Sequence, residues 1–277
     1  MVENFQRRNA PTIRMALVIG AFFLLTSSAR SQFSFDDHCR EAYRKIFSLQ
    51  FKEASKILEL EKQQDTANLF PVYLENYIDF LTLYIGEEKP VFNRLITNKS
   101  DRINQLEKGL KDSPYYNYCL AEIYLQWAFV RLKFGDYTQA AFDIRKAHAL
   151  FSENETLFPD FLPNNTGLGI IHIMMGIIPD NYKWIKDFMG LDGSIGQGLA
   201  EFHKVVDYSG TDKSVLLLKL EASFYLAMMA SNLQRNRQDA ISMLDELEKQ
   251  ARNEQLQFSP LIIFAKSNIL IKNGQTE

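Results

Sequence analysis

The sequence predicts an all-α fold assembled from antiparallel helix pairs, and three observations predict it. Apolar residues recur in steps of 3 and 4 along several long stretches, the spacing of one helix face. Alternation of period 2 is nowhere sustained, so no sheet is expected. Eight prolines and 13 glycines among 277 residues are too few for the turns of a sandwich or propeller. An apolar share of 46% is ample for a packed core and argues against wholesale disorder. The net charge of −3 provides no basic footprint, so nucleic acid is not an expected partner. Two cysteines exclude a disulfide-rich scaffold and a four-cysteine zinc site.

The first element is an address. Arg7, Arg8 and Arg14 precede an apolar run at 15–25, and small residues follow at Ser27, Ser28, Ala29 and Ser31. A positive leader, a short apolar stretch and a small-x-small site describe a signal peptide over 1–31, cut at Ala29-Arg30-Ser31. The alternative is an uncleaved N-terminal anchor, although the run is shorter than the roughly 20 residues a membrane span needs. Removing 1–31 takes away four arginines and one glutamate, leaving 27 basic and 33 acidic groups and a net charge of −6. The expectation is an exported chain, periplasmic or outer-membrane-associated if bacterial.

The remaining 32–277 reads as one helical domain, with pairs at about 33–64, 71–110, 115–152 and 215–252. Phe35, Cys39, Ala42, Ile46 and Leu49 line the first helix, with Asp36 and Asp37 in its first turn, where negative charge suits the helix dipole. Ala54, Ile57 and Leu58 face inward from the second. The intervening pair spans about 71–85 and 90–110. Tyr116, Leu120, Ile123, Trp127, Val130 and Phe134 form the next stripe, Gly135-Asp136-Tyr137 turns the chain, and Ala140, Ile144, Ala147 and Phe151 return. An inserted segment follows at 160–212: an apolar helix ending at Pro179, a short helix at 184–189, and a glycine-spaced loop at 190–198 opening another helix. A further pair occupies about 215–233 and 238–252, with Ala240, Leu244 and Leu247 facing in. An incomplete repeat is expected at 258–277, because Ser267 at the crossing would need a partner beyond the last residue.

One spacing weighs more than the stripes. Ala42 precedes Ala54 by 12, and Ala128 precedes Ala140 by 12. Small residues at these points let antiparallel helices approach closely. Here the chain resembles the tetratricopeptide repeat, a 34-residue helix–turn–helix unit. The match is carried by Tyr124, Trp127, Ala128, Gly135-Asp136-Tyr137, Ala140, Ile144 and Ala147, with a weaker copy around Ala42, Phe51 and Ala54. The pair at Met228 and Ala240 departs by carrying Met where a small residue belongs. The repeats are not tandem, since 86 residues separate Ala54 from Ala140 and 100 separate Ala140 from Ala240. The segment 167–199 looks like that of the Iml2 family, which includes the tetratricopeptide repeat protein 39 proteins. The resemblance implies a helical solenoid with no assigned catalysis, and this chain is shorter than that family leads one to expect.

Candidate chemistry is sparse. His38, His148, His172 and His203 show no metal-ligand spacing, so each reads as a structural residue and no metal or other cofactor is expected. Gly190, Gly193, Gly196 and Gly198 lack the strand and the Lys–Ser/Thr pair of a phosphate loop and read as a tight interhelical turn. No Gly-x-Ser-x-Gly occurs, and an enzyme is not expected. Cys39 and Cys119 read as two buried free thiols, the alternative being a bridge that brings their helix pairs together. Asn98, Asn154 and Asn164 begin glycosylation-type triplets. Carrying the repeat's groove positions across selects Tyr43 and Phe47, Phe129 and Lys133, and Tyr225 and Met229. Lys and Asn of the kind that hold a terminal carboxylate are confined to Lys133 and Asn232. The expected function is therefore an exported scaffold that binds protein or peptide segments through an apolar concave groove. In the competing reading, 167–199 fills that groove and these residues are core. A different alternative puts the segment 170–189 (Ile170, Ile171, Ile173, Trp184 and Phe188 with Lys183 and Lys186) on a membrane surface or a lipid as a peripheral contact.

Overall fold

The computed structural model describes residues 32–179, 183–232 and 237–272, without the side chains of 183–185 and 230–241. The expected leader or anchor at 1–31, the inward face of Ala240, the side chains of Lys183, Trp184 and Asn232, and the turn after Lys272 lie outside the described residues. Among the described residues there are twelve helices and no strand. The fold class is all-α, as the periodicity predicts.

The first pair is α1 (Asp37–Phe47) and α2 (Phe51–Gln64). Asp36 caps α1, its carboxylate accepting the Cys39 N–H at 2.8 Å, which satisfies one of the helix's free donors. Next come α3 (Phe70–Gly86) and α4 (Lys89–Leu106), each with proline in its first turn, where the missing N–H costs nothing. Then α5 (Pro114–Lys133) and α6 (Tyr137–Leu157) form the longest pair. Gly135 takes φ +77° in the turn between them, a left-handed conformation that suits glycine. Ala42, Ala54, Ala128 and Ala140 are all fully buried where their helices pack together. The 12-residue spacing therefore falls on buried positions of helices that pack together.

The inserted segment supplies α7 (Asn164–Ile177), α8 (Lys183–Met189) and α9 (Ile195–Val206). The expected loop at 190–198 is shorter than the sequence suggests. Ser194 caps α9 by accepting the Gln197 N–H at 3.1 Å, so Gly196 and Gly198 lie inside the helix. Gly198 serves a crossing, not a turn. A methyl placed on it would meet the Gly169 carbonyl oxygen at 2.5 Å and Ile173 Cγ1 at 2.6 Å. The domain ends with α10 (Lys213–Asn232), α11 (Arg237–Asn253) and α12 (Pro260–Lys272).

The row of pairs curves back on itself. The Phe47 and Phe224 rings meet edge to face at 5.7 Å, joining α1 to α10 across 177 residues of chain. Ser259 donates to the Phe47 carbonyl at 2.6 Å, and Arg44 pairs with Glu254 at 2.8 Å. At the other end of α1, the Ser214 hydroxyl reaches the Phe35 carbonyl at 3.4 Å. The C-terminal helices thus close against the first pair. The inner faces of α1, α3, α5 and α10 consequently look onto a shared interior.

Buried polar contacts fasten neighbouring pairs. Asp143 of α6 sits between Lys99 of α4 and Arg131 of α5, with the Arg131 contact at 2.7 Å. Burial holds the Lys99 ammonium below its usual value and pushes the Asp143 carboxyl up, both against the pull of the pair itself. Asn154 donates to the Pro114 carbonyl and to the Asn164 side chain, each at 2.8 Å. Two of the three glycosylation-type asparagines are therefore a buried clasp between α5, α6 and α7 and not surface acceptors. Cys39 and Cys119 are both free and fully buried.

Candidate functional site

The shared interior is the best-organised polar site among the described residues. An aromatic ladder runs along α3 from Phe70 through Tyr73, Tyr77 and Phe80 to Tyr84, with neighbouring rings 5.4–6.2 Å apart. Spacings of 3 and 4 keep all five rings on one helix face. Exposure rises along the ladder, from 0% at Phe70 to 6% at Phe80 and 37% at Tyr84. The ladder therefore leads from the core to a ring that reaches the surface.

Two carboxylates lie inside this interior. Glu221 of α10 is 3% exposed and accepts the Tyr77 hydroxyl at 2.5 Å. Burial raises the Glu221 carboxyl, while tyrosine hydroxyls, that of Tyr77 among them, draw it back down. Glu122 of α5 is also buried, and its carboxyl is pushed well up, first by burial and then by the charge of Glu221. Like charges in a low-dielectric surrounding cannot both ionise cheaply. Tyr73 packs edge to face on Tyr118 at 6.0 Å, and Tyr43 on Tyr77 at 5.7 Å. The hydroxyls of Tyr43 and Tyr73 are buried without a hydrogen-bond partner. Orphaned buried hydroxyls are costly, of order 1–3 kcal/mol each, and need an explanation.

The sequence-selected residues separate into two groups here. Tyr43 and Phe47 are each 1% exposed and belong to the interior wall, so they are core and not an apolar surface in this structure. The rings around them come from Phe35, Tyr77 and Phe224, not from 167–199. That segment packs through α7 on α5 and α6, with α9 against α7 and α10. Tyr225 is half-buried one turn beyond Glu221 on α10, and Met229, also half-buried, follows one turn later. Phe129 is half-buried on α5, seven residues past Glu122. Lys133 is exposed one turn further, paired with Glu87 and lying 4.6 Å over the Tyr84 ring. The selected positions are thus mixed in character, and the interior behind Tyr43 carries a carboxylate and hydroxyls that an apolar groove would lack.

Sequence reasoning missed Glu122, Glu221, Tyr73, Tyr77 and Tyr118. A signal was present: Glu122 and Glu221 are lone acids within long apolar runs of α5 and α10, where a solvated face would carry several. The segment of the membrane-surface reading is buried in part. Ile170, Ile171 and Ile173 are buried beneath their neighbours, because α7 is apolar all round and is covered on several sides. Ile177 and Phe188 remain exposed, Phe188 against Phe142 at 5.8 Å. No described helix is long and apolar enough to cross a membrane.

Two lesser features lie outside this interior. A cleft of about 620 Å³ between α9, α10 and α11 is lined by His203, Asp207, Lys219, Ser223 and Glu246. Its charges are already used internally: His203 reaches Asp207 at 3.4 Å, and Lys219 donates to the Tyr208 carbonyl at 2.9 Å. His172 binds Glu201 through Nδ1 at 2.7 Å and faces His148 Nε2 through Nε2 at 3.2 Å. Among the described residues, no group of three or more His, Cys, Asp or Glu is arranged to hold a metal ion. No protein family, curated protein or solved structure matches the chain.

Proposed function

We propose that the chain is an exported helical-repeat scaffold that receives a protein or peptide segment at the mouth formed by Tyr84, Phe129, Lys133 and Met229. The observation that carries this reading is the graded aromatic ladder, which ends in an exposed ring and an exposed cation instead of closing over. Helical repeats work by presenting the first helix of each pair on a continuous inner surface, and α3, α5 and α10 supply such residues here. Half-buried aromatic and methionine side chains around a pocket are the kind that anchor a partner, because they are desolvated at little further entropic cost. The N-terminal pattern of three arginines, an apolar run and small residues supports export.

The test is site-specific photocrosslinking in producing cells, with a photoreactive residue at Phe129, Lys133 or Met229 and a control at Lys56, which is exposed on α2. The proposal expects the same discrete adduct from the three mouth positions and none from the control. Adducts equal to the control at every mouth position would overturn it.

A further inference from the structure

We infer that the interior behind the mouth is a receptor for one organic cation, the ammonium or guanidinium of a lysine or arginine side chain, held by Glu122 and Glu221 among the hydroxyls of Tyr43, Tyr73 and Tyr77. The inference rests on the proposed function, since it names the anchor of the segment that the mouth receives.

Three observations point the same way. Glu122 of α5 and Glu221 of α10 are both buried, and no lysine, arginine or histidine is paired with either among the ion pairs of the described residues. A buried acid without a cation is uncommon, because buried charge is normally paired. The hydroxyls of Tyr43 and Tyr73, on residues no more than 1% exposed, lack any hydrogen-bond partner. Each is acted on by Glu221 and by the Tyr77 and Tyr118 hydroxyls, which places them in the same small interior. Finally, the walls are ring faces and edges, the surface over which ammonium and guanidinium groups are attracted.

These features fit a cation better than an anion or a neutral apolar group. An anion would face two carboxyls. An apolar group would leave the acids and the free hydroxyls unsatisfied. A primary ammonium has three donors and no acceptor, so it matches carboxylate and hydroxyl oxygens without leaving an atom unpaired. Its arrival would also let both acids ionise, since an opposite charge favours the charged form. Tyr77 lies seven residues below Tyr84 on α3, about 10 Å along the helix. The cation must therefore arrive on a long side chain inserted past Phe80, which suits lysine or arginine. Lys133 stands at the mouth without repelling it strongly, because Glu87 already pairs with that lysine.

Thermal midpoints of the full chain in n-butylammonium, n-butylguanidinium and n-butanol test the inference, for the wild type, Glu221→Gln and Tyr73→Phe. At about five times its dissociation constant, either cation should raise the wild-type midpoint by roughly 2–4 °C, while n-butanol leaves it unchanged. Tyr73→Phe should retain the response in weakened form and Glu221→Gln should lose it. The inference is overturned by equal responses to the cations and the alcohol, by no response to either cation in the wild type, or by a full response in Glu221→Gln. If Glu221→Gln does not fold, the wild-type comparison decides alone. Mouth adducts without a cation response would overturn this inference and leave the scaffold reading standing. A cation response without mouth adducts would support the receptor and overturn the scaffold reading.

Discussion

Replacing Gly198 with alanine should destabilise the domain, while the same change two residues earlier, at Gly196, should not. The two glycines share helix α9, so a local propensity argument predicts the same sign for both. Alanine is favoured over glycine in a helix by up to about 1 kcal/mol. At Gly196 nothing lies within 4 Å of the added methyl, so that gain should be realised in part, the site being in the first turn. At Gly198 the methyl would sit 2.5 Å from the Gly169 carbonyl oxygen and 3.0 Å from the Ile173 nitrogen. Both are backbone atoms of α7, and they cannot rotate away as a side chain can. Ordinary contact begins near 3.4 Å, so α7 and α9 must separate by the better part of an ångström, opening voids on either side. Overpacking of this kind costs about 1–3 kcal/mol, and the backbone contact puts Gly198→Ala at the upper end. After the propensity gain, a net loss of about 2 kcal/mol remains, or roughly 4–8 °C in Tm for a domain of this size. Urea and thermal unfolding of the two variants, side by side, measure the difference. Midpoints that move together in the same direction would refute the crossing and return these glycines to the role of turn residues.

The other predictions concern charge and thiols. Asp143→Ala should cost about 3–5 kcal/mol in chemical denaturation, because it leaves Lys99 and Arg131 without their buried counter-ion. The two histidines should give opposite pH dependence. The hydrogen bond that His38 donates to the Glu61 carboxylate raises the His38 pKa, so its contribution is fully present below the unfolded value near 6.5 and is lost as pH rises through the folded value. Burial lowers the His148 pKa, so stability should fall as pH drops through the unfolded value towards the folded one. Unfolding of His38→Gln and His148→Gln between pH 5 and 8 should therefore flatten opposite slopes; slopes unchanged from wild type would contradict both assignments. Cys39 and Cys119 should react with a thiol reagent only as fast as the domain unfolds, since burial pushes both thiols well up and shields them.

The helix pairs were legible because periodicity and the alanine spacing are local. Ala42 with Ala54 and Ala128 with Ala140 each lie within one helix–turn–helix, and their burial follows from residues a dozen apart. The glycine segment misled because conformational freedom and close approach use the same residue. Gly190 does adopt φ +64° in a turn, whereas Gly198 is a helix contact, and only the position of α7 separates the cases. The groove positions were selected by register, which says nothing of their environment. Tyr225 stays half-buried, whereas Tyr43 and Phe47 are sealed because α10 returns to α1. That return joins residues some 170–210 apart, and no spacing rule carries it. Glu122 and Glu221 were passed over for the same reason: an acid is read as solvated until its neighbours from three other helices are in place.

The closure of α10 on α1 underlies both the interior and the mouth, and a double-mutant cycle between Phe47 and Phe224 measures it most directly. Their rings are 5.7 Å apart at 83°, an edge-to-face pair. Such pairs contribute about 0.5–1.5 kcal/mol beyond their burial, so Phe47→Ala and Phe224→Ala should be non-additive by about 1 kcal/mol. Stability changes that add within about 0.3 kcal/mol would mean the two helices do not meet, and the enclosed interior would have no wall on that side.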